Sequence, residues 1–102
     1  MEWLNLLDSA QFLESRPASR LLHDSEAMRV VTFCLLPGQL IESHVSPREV
    51  LMLVVEGRGS FLVGEEEKEA RAGAMVVCAP LVPHGIKAVE KMVVVAVIAP
   101  RP

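Results

Sequence analysis

Hydrophobic and polar positions alternate along this chain in short runs, broken by glycine, proline and acidic clusters roughly every eight to twelve residues, the rhythm of a sandwich or barrel rather than of a βαβ fold. Trp3 to Leu7 is apolar, and Asp8 is placed as the N-cap of a brief helix through Glu14, which Pro17 prevents from continuing past Ser15. From Ser19 onward the signal is strand-like. Arg20 to His23 and Met28 to Leu36 flank the turn-prone Asp24-Ser25-Glu26 and predict a hairpin. Pro37-Gly38 leads into a strand that Ser46-Pro47-Arg48 breaks, and Val50 to Val55 forms the next. Ser60 to Val63 and Glu66 to Arg71 flank the tight turn Gly64-Glu65. The charges of the second segment suit a solvent-facing edge strand. Met75 to Ala79, His84 to Ala88 and Met92 to Ala99 complete the pattern, with Pro80 to Pro83 as a rigid corner. The chain divides into an N-terminal segment with a short helix (1–18), one all-β barrel (19–99) and a tail (100–102) expected to fray.

Composition narrows the function classes. Thirteen acidic against ten basic residues leave a net charge of −3. Lys and Arg are scattered singly, which argues against nucleic acid as a partner. No apolar run reaches the roughly 20 residues that span a bilayer. Glu2 and Asp8 do not make the positive leader of a signal peptide, so a cytoplasmic protein with no membrane partner is expected. Cys34 and Cys78 each sit in an apolar strand and read as buried, inert thiols.

The chemistry concentrates between Gly38 and Ser46. Alternation in a strand points Glu42, His44 and Ser46 to one face. Val50, Met52 and Val54 share a face of the next strand, and Ile86 shares one with His84. His23, beside a turn, reads as a surface residue. If the two histidine strands face one interior, the result is either an apolar pocket with a few polar groups or a barrel packed shut.

The order of these features resembles the small single-domain cupins. That family carries a glycine, five residues, His-x-His, three or four residues, a glutamate, six residues and a glycine; a second glycine–proline–glycine–histidine motif follows. Gly38, His44 and Gly57 match the first motif, and Gly73 and His84 the second, over roughly residues 19 to 99. The resemblance implies an all-β jelly roll, or double-stranded β-helix, with Val50, Met52 and Ile86 lining its interior. It also exposes departures. Ser46 stands at the second histidine position and Val50 at the glutamate position; Pro80 falls one place late, and Leu81 replaces the second-motif glycine. Two of the four metal ligands of metal-binding cupins, His44 and His84, remain.

Three functions are therefore weighed, the third an interaction or sensor module that uses its apolar sheets. In the first, the barrel binds a small-molecule ligand near His44, Ser46, Val50, Met52, His84 and Ile86, with any metal weakly held. In the second, it is a metal-dependent cupin enzyme of dioxygenase or isomerase type, using Zn, Fe, Mn or Ni on His44, His84 and a third group, for which Glu42 is the candidate. The almost continuous valines of Met92 to Ile98 suit a strand buried on both faces. With the family habit, this implies a homodimer.

Overall fold

The computed structural model describes residues 3–102 as nine strands in two antiparallel sheets. β1 (Ala18–Asp24), β2 (Arg29–Leu35), β9 (Met92–Ala99), β4 (Glu49–Glu56) and β7 (Met75–Cys78) make one sheet, in the order β1-β2-β9-β4-β7. β3 (Leu40–His44), β8 (His84–Ala88), β5 (Arg58–Val63) and β6 (Glu66–Arg71) make the other, in the order β3-β8-β5-β6. The acidic β6 is an edge strand, as its charges predict. Neighbours in each sheet are mostly distant in sequence, the crossing pattern of a jelly roll.

The strand alternation decides what the two sheets enclose. Val50, Met52 and Val54 of β4 face inward, as do Met92, Val94 and Ala96 of β9 and Ile86 and Ala88 of β8, each no more than 4 % exposed. They meet Leu35 and Phe61 in one continuous core. The outer faces differ. On the four-stranded sheet, Ser60 lies between Lys87 and Glu69 across the strands, so that surface is polar. On the five-stranded sheet, the cross-strand row Val30, Val97, Leu51, Val77 and its neighbour Thr32, Val95, Leu53, Met75 carry no charge.

Burial pushes the Cys78 thiol above its ordinary value and does the same to Cys34, where a backbone N–H of Gln11 partly offsets it. Both are free. Held protonated and covered, they are poor nucleophiles, in keeping with the inert reading.

Two terminal expectations need correction. The segment after Asp8 is not a helix: among the described residues there is none. Asn5, rather than Asp8, caps a single turn, its Oδ1 accepting from the N–H groups of Leu7 and Asp8 at 3.1 and 3.2 Å. The turn stops because one turn fixes several residues for little gain. The chain beyond it is held open by Gln39, whose Nε2 donates to the carbonyls of Leu13 and Glu14 at 2.7 and 3.3 Å. The tail, expected to fray, is tied down instead: Arg101 pairs with Asp24 at 3.2 Å, and Arg48 donates to the Arg101 carbonyl at 3.4 Å. His23, read as a surface residue, is half-buried where β1 bulges. No helix among the described residues is long and apolar enough to cross a membrane.

Candidate functional site

His44 ends β3 and His84 opens β8, and the two are direct cross-strand partners. Their ring centroids lie 4.4 Å apart with the planes tilted by 59°. This approach depends on an irregularity that strand alternation does not anticipate. Ile41 pairs with Ile86 and His44 with His84, so β3 advances three positions while β8 advances two. The extra residue is a bulge, and it changes which side chains share a face. Ile41 and His44 both turn inward; Glu42 does not, and it is exposed. The expectation that Glu42 and His44 face together is therefore corrected.

Gly85 makes room for the bulge. A Cβ there would lie 2.6 Å from the Ile41 carbonyl oxygen and 2.9 Å from the Ser43 nitrogen, closer than real Cβ contacts. The backbone of β3 presses into the space that the missing side chain leaves.

The two rings border a cavity of about 210 Å³ between the sheets. His44, Ser46, Val50, Met52, His84 and Ile86, read from the sequence as one group, all line it. Phe33, Ala96 and Ile98 add apolar surface that the alternation of β2 and β9 could have supplied; Ile41 enters through the bulge and Pro102 through the tied tail, neither of which has a local signal. His84 is 4 % exposed, whereas His44 stands at the open end. The polar side chains on the wall are the two imidazoles and the Ser46 hydroxyl, which accepts from the Arg48 N–H at 3.1 Å.

Each imidazole is oriented by the carbonyl two residues before it. Nδ1 of His44 lies 3.2 Å from the Glu42 oxygen, and Nδ1 of His84 lies 3.0 Å from the Val82 oxygen. A carbonyl only accepts, so Nδ1 carries the proton and, in the neutral ring, Nε2 keeps its lone pair. Two acceptor nitrogens thus belong to a wall that is otherwise almost wholly apolar.

This donor set does not fit a resident divalent ion. Among the described residues no three His, Cys, Asp or Glu side chains gather in one place. Two neutral nitrogens and a hydroxyl supply no negative charge to offset the cost of moving a doubly charged ion out of water.

The corner opposite carries a further mark. Leu81 has φ +72°, in the left-handed region that leucine disfavours, and its N–H donates to the Ser46 carbonyl at 2.8 Å. It ties the Pro80–Pro83 corner to the segment bearing Ser46. Its side chain is 66 % exposed and gains little from packing. Left-handed backbone costs a leucine roughly 1–2 kcal/mol, against roughly 0.5–1 kcal/mol of extra chain entropy lost by glycine. Leu81→Gly is expected to stabilise the fold by about 0.5–1 kcal/mol, read as a higher urea midpoint at unchanged slope. Leu81→Ala, which removes the exposed side chain but keeps the strain, should give no such gain.

The family model described as "Cupin domain" matches residues 31–99. Among solved structures, an RmlC-like cupin protein from Desulfovibrio desulfuricans is 36% identical with a TM-score of 0.92, covering 98% of this chain and 97% of that one. TT1209 from Thermus thermophilus is 30% identical with a TM-score of 0.93, covering 100% of each chain. KdgF from Halomonas sp. shares the fold at 19% identity, with a TM-score of 0.82 over 90% of this chain and 86% of that one. No curated protein gives a significant match.

Proposed function

The chain belongs to the cupin family, and on that footing we propose that it is a small-molecule binding protein whose barrel takes a compact, largely apolar ligand carrying a hydrogen-bond donor, without needing a metal. The observation that carries this reading is the pair of oriented imidazoles on an apolar wall. With Nδ1 engaged by backbone, each Nε2 can accept from a hydroxyl or acid proton of a ligand, while Met52, Val50 and Ile86 cover its apolar body. Desolvation favours such a ligand, because a buried acceptor gains most from a partner that water does not already supply. The size of the cavity, below the roughly 300 Å³ of ordinary ligand pockets, limits the occupant to something near a single ring.

Phenol and toluene, alike in shape and different in the hydroxyl, test this. Phenol should shift the Ile41, Gly85 and Ile86 amides saturably and should bind at least about fivefold more tightly than toluene, the worth of one hydrogen bond. His84→Leu should remove that preference. Equal affinity for both probes, or no cavity shift with either, refutes the role of the imidazoles. Near-stoichiometric metal in tag-free protein purified without chelators would overturn the metal-free part and restore the enzyme reading.

The chain is further read as a cytoplasmic homodimer. Two free, buried thiols and no disulfide suit a reducing compartment. The uncharged rows through Leu51 and Leu53 suit a second copy on the outer face of the five-stranded sheet, since an apolar sheet face seeks cover. Sedimentation at micromolar concentration should give the mass of two chains; a clean monomer rules this out.

A further inference from the structure

A second cavity, of about 400 Å³, lies outside the barrel, between the N-terminal segment and the outer face of β1 and β2. Its lining contrasts with that of the histidine cavity. The exposed Arg16 and Arg20 line it and no carboxylate residue does, in a chain whose net charge is −3. Three other arginines have a carboxylate partner, Arg29 and Arg101 sharing Asp24 and Arg58 pairing with Glu90, whereas Arg48 and Arg71 make no ion pair among the described residues. Among the described residues Arg16 finds no hydrogen-bond or ion-pair partner, and Arg20 gives one nitrogen, Nη1, to the Ser9 carbonyl at 3.2 Å.

Thr32 supplies the independent observation. It is the direct cross-strand partner of Arg20, so the two side chains stand side by side on one face. It is 4 % exposed, yet its hydroxyl makes no hydrogen bond to any described residue. No buried side-chain oxygen or nitrogen among the described residues is sealed off without a partner, so this hydroxyl opens onto the cavity it lines. The Thr32 hydroxyl, Arg20 beside it and the exposed Arg16 on the same wall together present hydrogen-bond donors to one cavity with no carboxylate among its lining residues.

We propose that this cavity is a second ligand site, which binds a small organic oxyanion through Arg16 and Arg20, with the Thr32 hydroxyl donating a further hydrogen bond. The planar forks of arginine fit the paired oxygens of a carboxylate or a phosphate monoester, and either head offers the acceptors that Thr32 lacks. The inference stands independently of the reading of the histidine cavity, because no residue lines both.

Inorganic phosphate and succinate, titrated into the isotopically labelled full chain at constant ionic strength, test it by amide and guanidinium chemical shifts. Saturable shifts are expected at Arg16, Arg20, Ser19 and Thr32, with Gly85 unmoved. The tighter of the two probes identifies the head group. Arg16→Gln, which disturbs no internal contact, should weaken binding at least about tenfold, and the isosteric Thr32→Val about fivefold. Shifts that stay linear to the highest concentration, or affinity unchanged in Arg16→Gln, overturn the proposal.

Discussion

Zinc affinity is expected to rise at least about a thousandfold when Ser46→His and Val50→Glu are combined, because the pair adds two of the ligands that a closed site needs, one of them anionic. Ser46 and Val50 line the same cavity as His44 and His84. The serine lies on the segment leaving β3, and Val50 faces inward from β4 at 4 % exposure. The native set of two neutral nitrogens lacks the charge that makes an ion's desolvation tolerable; a carboxylate at position 50 provides it. The same carboxylate is a burden without metal. A buried, unpaired Glu should lower apo stability by about 3 kcal/mol or more. The double variant should therefore melt well below the parent in chelator and recover with zinc, since a ligand that binds only the folded state stabilises it. Competition against a chromophoric chelator gives the affinity. A variant that folds and yet gains none would show that the four side chains do not converge, and the assignment of the cavity wall would fail with it.

Why so much of this was readable, and some was not, follows from what each signal encodes. The strands β6, β8 and β9 run over the residues predicted for them, because their ends are set locally by turn residues and by changes in polarity. The glycines that carry the resemblance report backbone rather than chemistry: Gly38, Gly57 and Gly73 have φ of +85°, +88° and +96°. At the fourth such position the conformation persists although the residue does not, and Leu81 bears the strain. The cavity wall was legible for the same reason that registers are: one inward residue fixes the facing of its strand. The bulge in β3 was not, because it arises from the fit of two strands far apart in sequence, and only the paired backbones reveal that Glu42 has been turned away. The helix expected after Asp8 failed on a tertiary contact as well, the reach of Gln39 to the Leu13 carbonyl.

Gly85→Ala is expected to cost about 2–4 kcal/mol and to separate the two imidazoles, the largest effect on this site from the addition of one methyl group. The new Cβ would sit 2.6 Å from the Ile41 oxygen, 2.9 Å from the Ser43 nitrogen and 3.1 Å from the Glu42 carbonyl carbon. All three are backbone atoms, so no side chain can rotate to relieve the clash. One of the two strands must give. β8 is held between β3 and β5, whereas β3 is an edge strand with β8 as its sole ladder partner among the described residues, so β3 is the one to move. Its displacement carries His44 away from His84 and opens the wall at Ile41. The urea midpoint should fall, and the ring protons of His84 should lose the shift that a tilted aromatic neighbour 4.4 Å away imposes. Phenol should lose part of its advantage over toluene, since the opened wall lets water compete for the imidazole Nε2 that accepts its single hydroxyl proton. Stability within about 0.5 kcal/mol of the parent, together with unchanged His84 ring shifts, would mean that the bulge does not need the space at Gly85 and that the imidazoles are brought together by something other than the missing side chain.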